Sequence, residues 1–149
     1  MIVPELISDL KTAYSDLGLN NIDSLGSIYS EDVTFIDPVN TIIGRDAMLR
    51  HFRNSYKDVL SCQFEFNTDE EIIIQNQAFL SWKMTYQHRR LKSKKPIIVN
   101  GASYIQFEKR VVWHRDWFDL GEMVYENIPV VGAITGSIKS RLSLSQNES

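Results

Sequence analysis

Two short apolar segments of this chain contain ionisable side chains. In VTFIDP, Asp37 ends an apolar run and precedes a proline, so its carboxylate is expected to be half buried and held by rigid backbone. In WHRDWFDL, His114 and Asp116 alternate with tryptophan and arginine. A desolvated carboxylate is a useful general base. The pattern therefore predicts acid–base chemistry, with Asp37 as the base and Asp116 with His114 as the acid or its orienting pair.

Each of these residues also has a purely structural interpretation. Asp37 could organise the Asp-Pro turn through hydrogen bonds to its own backbone. His114 and Asp116 could form a satisfied internal hydrogen-bonded pair without any turnover. The residues by themselves leave both interpretations open.

Strand alternation decides which side chains of WHRDWFDL share a face, because successive side chains of a strand point to opposite sides. His114, Asp116 and Phe118 lie on one face. The other face has Trp113 and Trp117, which are large enough to anchor a subunit interface if that face is the outer one. We therefore expect His114 and Asp116 to face a pocket.

The two middle strands offer further pocket candidates. Alternation groups Lys83 with Thr85 in one strand, and places Ser103 on a face with apolar neighbours in the next. Lysine is more often a surface residue, whereas a serine among apolar neighbours is a buried hydroxyl that seeks a partner or a ligand. Either set could line the cavity.

Composition excludes several classes of protein. The chain has 149 residues, is 43% hydrophobic and carries a net charge of -3, which predicts one soluble domain without a general electrostatic affinity for nucleic acid or membranes. The basic segment at 88–95, HRRLKSKK, has no interleaved aromatic residues and is expected to be a solvated hairpin turn. No glycine loop for nucleotides, CxxC pair or HExxH motif occurs, so we predict no cofactor and no metal.

Two features bear on the cellular compartment. The single cysteine, Cys62, cannot form an intrachain disulfide, and the amino-terminal residues lack the pattern of a secretory signal. The expected location is the cytoplasm.

The elements that position these side chains follow from hydrophobic spacing. The predicted helices run from Pro4 to Gly18, from Ile22 to Tyr29, and from about Asp46, as a possible cap, to Val59. The predicted strands are 33–37, 62–66, 71–75, 78–87, 96–108 and 110–120. Three helices followed by an antiparallel meander predict an α+β domain.

The carboxyl-terminal segment is predicted to be separate from this core pattern. Apolar residues recur at steps of four from Val130 to Leu142, which predicts a helix lying on the domain or on a second subunit. Residues 143–149, SLSQNES, are expected to be a disordered tail, so the single domain spans 1–142.

The order of elements and two segments, VTFIDPVNTIIGRDAMLRHFRNSY and WHRDWFDLGEM, resemble the nuclear transport factor 2-like superfamily. This superfamily includes ketosteroid isomerase, the SnoaL-like polyketide cyclases and limonene epoxide hydrolase, and the resemblance covers about Ile2 to Glu126. It implies a cone-shaped, cystatin-like fold, in which a curved antiparallel sheet and about three amino-terminal helices enclose one pocket. It also implies a homodimer.

The first segment is similar to the part of ketosteroid isomerase that contains its general base, a role that falls on Asp37. The isomerase holds its oxyanion with a tyrosine on the first helix and a protonated aspartate on a later strand. The matching places here hold Ala13 or Tyr14, and Ser103. The resemblance therefore implies that Tyr14 or Ser103 donates a hydrogen bond to the oxyanion.

The second segment resembles the limonene epoxide hydrolase segment that contains the first aspartate of an Asp-Arg-Asp set, which corresponds to Asp116. Where the hydrolase has its arginine and second aspartate, this chain has Lys83 and Thr85. Water activation is thus short of a carboxylate, and epoxide hydrolysis is not expected.

The SnoaL-like cyclases require only an acid/base carboxylate and an apolar cavity. The resulting prediction is a cofactor-independent isomerase, cyclase or lyase that transfers a proton on a small apolar carbonyl compound. The alternative is a non-catalytic module that binds a small ligand or serves as a dimeric platform. The residues expected to contact the ligand are Tyr14, Phe35, Lys83, Thr85, Ser103 and Phe118.

Overall fold

Short helices precede the long strands along the chain. The computed structural model describes residues 3–90 and 95–123. The helical elements are α1 (Glu5–Ser15), a 3-10 helix (Ile22–Ser27), α2 (Arg45–Ser55) and α3 (Leu120–Met123). The strands are β1 (Tyr29–Ile36), β2 (Thr41–Ile43), β3 (Val59–Ile74), β4 (Gln77–His88), β5 (Ile97–Phe107) and β6 (Val111–Phe118).

The strands form one curved six-stranded sheet in the order β2-β1-β6-β5-β4-β3. The strands from β3 to β6 are an antiparallel meander, as predicted, and β1 joins β6 in parallel. The sheet is therefore mixed, because the chain between β1 and β6 passes through α2 and the meander before it returns. The parallel register sets Phe35 beside His114, which brings the two candidate segments of the sequence together.

The helices pack on one face of the sheet, called the inner face here. On α1 the buried residues Ile7, Leu10 and Tyr14 recur at helical spacing, and α1 contacts β3. On α2 the buried residues are Met48, Leu49 and Phe52, and α2 contacts β1. Each fully buried apolar side chain stabilises the fold by about 1.5–3 kcal/mol. This confirms the predicted α+β architecture with helices covering a curved sheet.

Several element limits differ from the predicted ones. The second helix is a 3-10 helix that ends at Ser27, and Tyr29 begins β1 because its backbone pairs with Val111 of β6. Asp46 does not cap α2, since Gly44 holds the N-cap position with a φ of 98°, a conformation that favours glycine. The predicted strands at 62–66 and 71–75 are one strand, β3, with an irregular register between Asn67 and Ile72.

The two faces of β4 are clearly distinguished by burial. Alternate residues from Ala78 to Tyr86, including Trp82, are buried, whereas Lys83 is exposed and its Nζ lies 3.2 Å from a Glu65 carboxylate oxygen. Thr85 shares the outer face with Lys83, so these two predicted ligand-contacting residues lie on the opposite side of the sheet from Trp82. Strand alternation permits only one of the two sets to face inward, and the apolar set with Trp82 takes that side.

Parts of the sequence lie outside the described residues. These are 1–2, 91–94, which fall within the predicted hairpin turn at 88–95, and 124–149, which contain the predicted carboxyl-terminal helix, the domain limit and the tail. Within the described ranges, each helix is too short or too polar to cross a lipid bilayer.

Candidate active site

A continuous chain of hydrogen bonds connects α1, β1 and β6 inside the fold. The hydroxyls of Tyr14 and Tyr29 are 2.7 Å apart, and the Tyr29 hydroxyl is 2.7 Å from Nδ1 of His114. The other ring nitrogen, Nε2, lies 2.6 Å from Oδ1 of Asp116. Only 2% of His114 is exposed to solvent. Four ionisable side chains that are far apart in the sequence are therefore linked in one buried series, named the Tyr-His-Asp relay below.

Local structure explains how the relay is assembled. Tyr14 stands in the last turn of α1 on the same face as the buried Leu10, and Tyr29 is the first residue of β1. The parallel pairing of β1 with β6 sets the ring of Phe35 4.8 Å from that of His114. The ring of Tyr29 stacks on His114 at 5.7 Å. The apolar surroundings keep water from competing for these hydrogen bonds.

The neighbouring strand β5 holds the carboxylate from a second direction. Ser103 is paired with Asp116 in the sheet register, and its hydroxyl donates to Oδ1 at 2.5 Å. Ser103 in turn accepts a hydrogen bond from the indole Nε1 of Trp82 at 2.9 Å. An indole N–H only donates, so the Ser103 hydroxyl uses its single proton on Asp116. Both donors act on Oδ1; among residues 3–90 and 95–123, no hydrogen bond to Oδ2 is found.

Burial controls the protonation of the tyrosines. Desolvation, and secondly the nearby charge of Asp116, raise the pKa of Tyr14. Desolvation, followed by the proximity of Tyr14, also raises the pKa of Tyr29 far above its ordinary value. Both residues therefore remain neutral hydroxyls that can donate and accept hydrogen bonds at neutral pH.

A small apolar cavity lies at the inner end of the site. Its volume is about 10 Å³, which is room for about one water molecule. The residues lining it are Leu10, Tyr14, Phe64, Phe66, Trp82, Ser103, His114 and Asp116. The indole of Trp82 reaches this cavity because β5 has Gly101 opposite it: a Cβ there would stand 2.3 Å from Cη2 of the indole.

A larger, open cleft of about 390 Å³ also borders Asp116. It is lined by Asp37, Pro38, Arg115, Asp116, Trp117 and Phe118. Among the described residues, Asp116 borders both the small cavity and the cleft. Its carboxylate is thus accessible from the cleft while it is held from the interior.

Asp37 forms a turn at the rim of the cleft. Its Oδ1 accepts hydrogen bonds from the backbone N–H groups of Val39 at 2.8 Å and Asn40 at 2.7 Å. Its Oδ2 lies 3.8 Å from Nε2 of His51. This is the turn-organising arrangement that the Asp-Pro sequence allows. Asp37 borders the cleft but not the small cavity.

The remaining predicted contact residues divide into two groups. Tyr14 and Ser103 line the small cavity with His114 and Asp116, and this arrangement favours Tyr14 over Ala13 as the tyrosine of the first helix. Phe118 borders the cleft, and Phe35 packs on the His114 ring. The outer-face residues Lys83 and Thr85 do not approach the relay.

Sequence reasoning missed two members of the site, Tyr29 and Trp82. The alternation of β1 does not identify Tyr29, because Glu31 is exposed and the register with β6 shifts between Tyr29 and Thr34. Trp82 shares a face of β4 with Ala78 and Leu80, and this face is more apolar than the one with Ser81, Lys83 and Thr85. This difference in apolar character is the signal that could have placed Trp82 inside. No group of three or more potential metal ligands is found within the described ranges.

Known proteins were compared with this chain at the level of sequence and of fold. The profile of the family of SnoaL-like domains matches residues 12–114. No curated protein sequence matches the chain. Since the matched segment includes the last residues of α1 and the first part of β6, it contains Tyr14, Tyr29, Ser103 and His114 of the site.

Solved structures share the fold at low sequence identity. A candidate SnoaL-like polyketide cyclase from Jannaschia sp. has a TM-score of 0.71 at 8% identity, covering 86% of this chain and 97% of its own. A hypothetical protein from Catenulispora acidiphila with a ketosteroid isomerase-like fold, in complex with trimethylamine, gives 0.68 at 14%, covering 81% and 90%. A candidate SnoaL-like polyketide cyclase from Shewanella denitrificans gives 0.63 at 17%, covering 80% and 91%. These similarities show the fold.

Proposed function

The chain belongs to the family of SnoaL-like domains, and from this membership and the geometry of the site we propose that it is a cofactor-independent isomerase or cyclase. Its substrate would be a small, largely apolar carbonyl compound. One observation carries the proposal: the carboxylate of Asp116 is held through Oδ1 by His114 and Ser103, at the boundary between an open cleft and a buried apolar cavity. A fixed carboxylate beside apolar surface is suited to proton transfer.

The proposed reaction begins with removal of a proton from the carbon next to the substrate carbonyl. Oδ2 of Asp116 accepts this proton, the C–H electron pair forms the new C=C bond, and the carbonyl π electrons move onto oxygen to give an enolate. In an isomerase, Asp116 returns the proton to a different carbon. In a cyclase, the enolate carbon attacks a second carbonyl of the same molecule, and the resulting alkoxide takes the proton.

The dimensions of the two spaces suggest how a substrate would be accommodated. The small cavity admits one water-sized group, which matches a carbonyl oxygen. The body of the substrate would lie in the cleft beside Phe118 and Trp117. Tyr14 lines the small cavity and keeps its proton, so its hydroxyl can donate to the oxyanion there.

Asp116 is preferred to Asp37 as the base on geometric grounds. Both carboxylates border the cleft, but Asp116 also borders the cavity with Tyr14. The base and the oxyanion donor must act on neighbouring atoms of one substrate, and Asp116 meets this requirement. Asp37 uses Oδ1 on backbone N–H groups and is assigned to the rim of the cleft.

The names of the structural neighbours are consistent with this class of reaction. Those from Jannaschia and Shewanella are candidate polyketide cyclases, and the one from Catenulispora has a ketosteroid isomerase-like fold. Cyclisation and ketosteroid isomerisation both proceed through an enolate. The proposal for this chain therefore adopts enolate chemistry from these neighbours and does not adopt a named substrate.

The proposal includes a homodimer formed through the outer face of the sheet. Apolar side chains are exposed there, among them Ile98 on β5 and Trp117 on β6. Aromatic residues are enriched in such interfaces. Sedimentation of the purified protein tests it: the expected species is a dimer that the exchange Trp117→Glu converts into a monomer, and a monomeric wild-type protein would exclude it.

The reaction can be tested without knowing the natural substrate. Cyclic ketones incubated with the protein in D₂O gain deuterium next to the carbonyl if the protein forms enolates, and NMR follows the exchange. The wild-type protein is expected to accelerate it, and Asp116→Asn to lose about 10²- to 10⁴-fold of that acceleration. Asp32→Asn is a matched control, because Asp32 is an exposed carboxylate on β1.

The opposite results separate the alternatives. Equal exchange rates for the wild type and Asp116→Asn would remove Asp116 from the mechanism. A ketone that binds tightly and never exchanges would identify the protein as a ligand-binding module.

A further inference from the structure

We propose that Tyr29 makes the hydrogen-bond donor capacity of Tyr14 depend on the charge of His114. The proposal rests on the relay of bonds from Tyr14 to Tyr29, 2.7 Å, and from Tyr29 to His114 Nδ1, 2.7 Å. Each hydroxyl in it has one proton and can serve only one of its two neighbours as donor. The direction of donation is therefore set for the whole relay by the end at His114.

With a neutral His114 the direction is fixed by Asp116. The ionised carboxylate only accepts, so the single imidazole proton lies on Nε2 and donates to Oδ1. The bare Nδ1 accepts from the Tyr29 hydroxyl, and Tyr29 accepts from Tyr14. In this state the hydroxyl of Tyr14 donates its proton to Tyr29, and only its oxygen lone pairs face the small cavity.

A second proton on His114 reverses every bond of the relay. Nδ1–H then donates to Tyr29, and the Tyr29 proton rotates to donate to Tyr14. The proton of Tyr14 is released and can donate into the cavity that Tyr14 lines. Only one proton is added, at Nδ1, and the other two changes are rotations of hydroxyl groups.

The surroundings of His114 favour a two-state relay. The titratable groups facing it are Asp116 on β6, Tyr29 on β1 and Tyr14 on α1, with Tyr56 nearby at the end of α2. Asp116 is the only carboxylate recorded in contact with His114 within the described residues, and it compensates the positive charge of the imidazolium. The tyrosines stay neutral, so the charge of His114 decides the direction.

This inference deepens the proposed function and rests on it for its consequence. A cavity with a free Tyr14 proton stabilises an oxyanion, whereas one that presents lone pairs repels it. The reactive form is thus the imidazolium paired with the Asp116 carboxylate. Tyr29 acts through its neighbours and is a positioning residue.

NMR of the protein without any ligand tests the relay. His-ring ¹⁵N shifts locate the protons of His114, assigned against His114→Gln, and the ¹³Cζ shift of Tyr14 reports donation by its hydroxyl. Neutral His114 is expected to carry its proton on Nε2, which faces the Asp116 carboxylate. The Tyr14 signal is expected to change together with protonation of Nδ1.

Two variants isolate the role of Tyr29. In Tyr29→Phe the Tyr14 signal is expected to lose its response to His114. In the matched control Tyr56→Phe the response is expected to persist, because the Tyr56 hydroxyl lies 3.7 Å from Cys62 Sγ and outside the relay. An unchanged response in Tyr29→Phe would overturn the proposal.

The wild-type protein alone can also overturn it. Two results for the wild-type protein would contradict the relay even if Tyr29→Phe did not fold. One is a neutral His114 that is protonated on Nδ1. The other is a His114 that stays neutral throughout the pH range in which the protein is folded.

The results also separate the relay from the proposed function. If the relay reverses as expected but no ketone exchanges deuterium, the proposed function fails and the relay stands. If Asp116→Asn abolishes deuterium exchange but the Tyr14 signal does not change with protonation of His114, the relay fails and the proposed function stands.

Discussion

The hydroxyl of Ser103 donates a hydrogen bond to the carboxylate of Asp116, 2.5 Å away on the neighbouring strand. The same hydroxyl accepts the N–H of Trp82 at 2.9 Å. Ser103 is 4% exposed, so water is not a ready substitute for either bond. One small side chain thus satisfies a buried indole and fixes the carboxylate proposed as the base.

The exchange Ser103→Ala is expected to destabilise the protein by about 1–3 kcal/mol, because it leaves the Trp82 N–H buried without an acceptor. Urea unfolding measures this loss. Ser81→Ala is a matched control on the outer face of β4, where a change within about 0.5 kcal/mol is expected. Equal losses in the two variants would show that the Ser103 hydroxyl is not needed for stability.

Much of the fold could be predicted because local patterns specify it. The apolar spacing of α1 and α2 and the alternation of β4, β5 and β6 correspond to the buried faces in the structure. The limits of the second helix could not be predicted in this way. Tyr29 belongs to a strand because it pairs with Val111, and a contact so distant in sequence leaves no local signal.

The candidate site was only partly predictable for the same reason. His114, Asp116 and Ser103 could be placed on inward faces by alternation, but the bond from Tyr29 to His114 depends on the parallel pairing of β1 with β6. The two-residue alternation of β4 alone does not show which of its two faces is buried. The buried face is decided by the packing of Trp82 over Gly101.

Asp37 is expected to be a structural residue whose charge is dispensable. Asp37→Asn keeps an oxygen that can accept the N–H groups of Val39 and Asn40, so stability and ketone exchange should remain near the wild-type levels. Asp37→Ala removes the acceptor and is expected to cost about 1 kcal/mol. Urea unfolding and deuterium exchange check both variants. A loss of exchange in Asp37→Asn as large as that in Asp116→Asn would make Asp37 the base.

The buried thiol of Cys62 is expected to make the fold sensitive to alkali. Desolvation, partly offset by the hydrogen bond with Tyr56, raises the pKa of the Cys62 thiol from 9.0 to about 11. The folded state favours the protonated thiol, so this contribution is complete below pH 9.0 and is lost as pH rises through about 11. The loss is about 3 kcal/mol.

Urea midpoints measured below and above this pH window test the contribution of Cys62. Cys62→Ala should show a smaller fall than the wild-type protein, and the remaining fall is assigned to the buried tyrosines, including Tyr86, whose pKa burial raises to about 12. Identical pH dependences would contradict the role of the thiol.

Trp82 is expected to set the size of group that the inner cavity admits. Its indole lines a space of about 10 Å³, so Trp82→Ala should destabilise the protein by about 3–5 kcal/mol and create a cavity of indole size. Added indole should restore part of the melting temperature lost, because a ligand that binds only the folded state stabilises it. Phe79→Ala is the control: this ring is 37% exposed on the outer face of β4, and indole should have no effect there. No rescue in Trp82→Ala would mean that neighbouring side chains collapse into the space, and that Trp82 does not limit what enters.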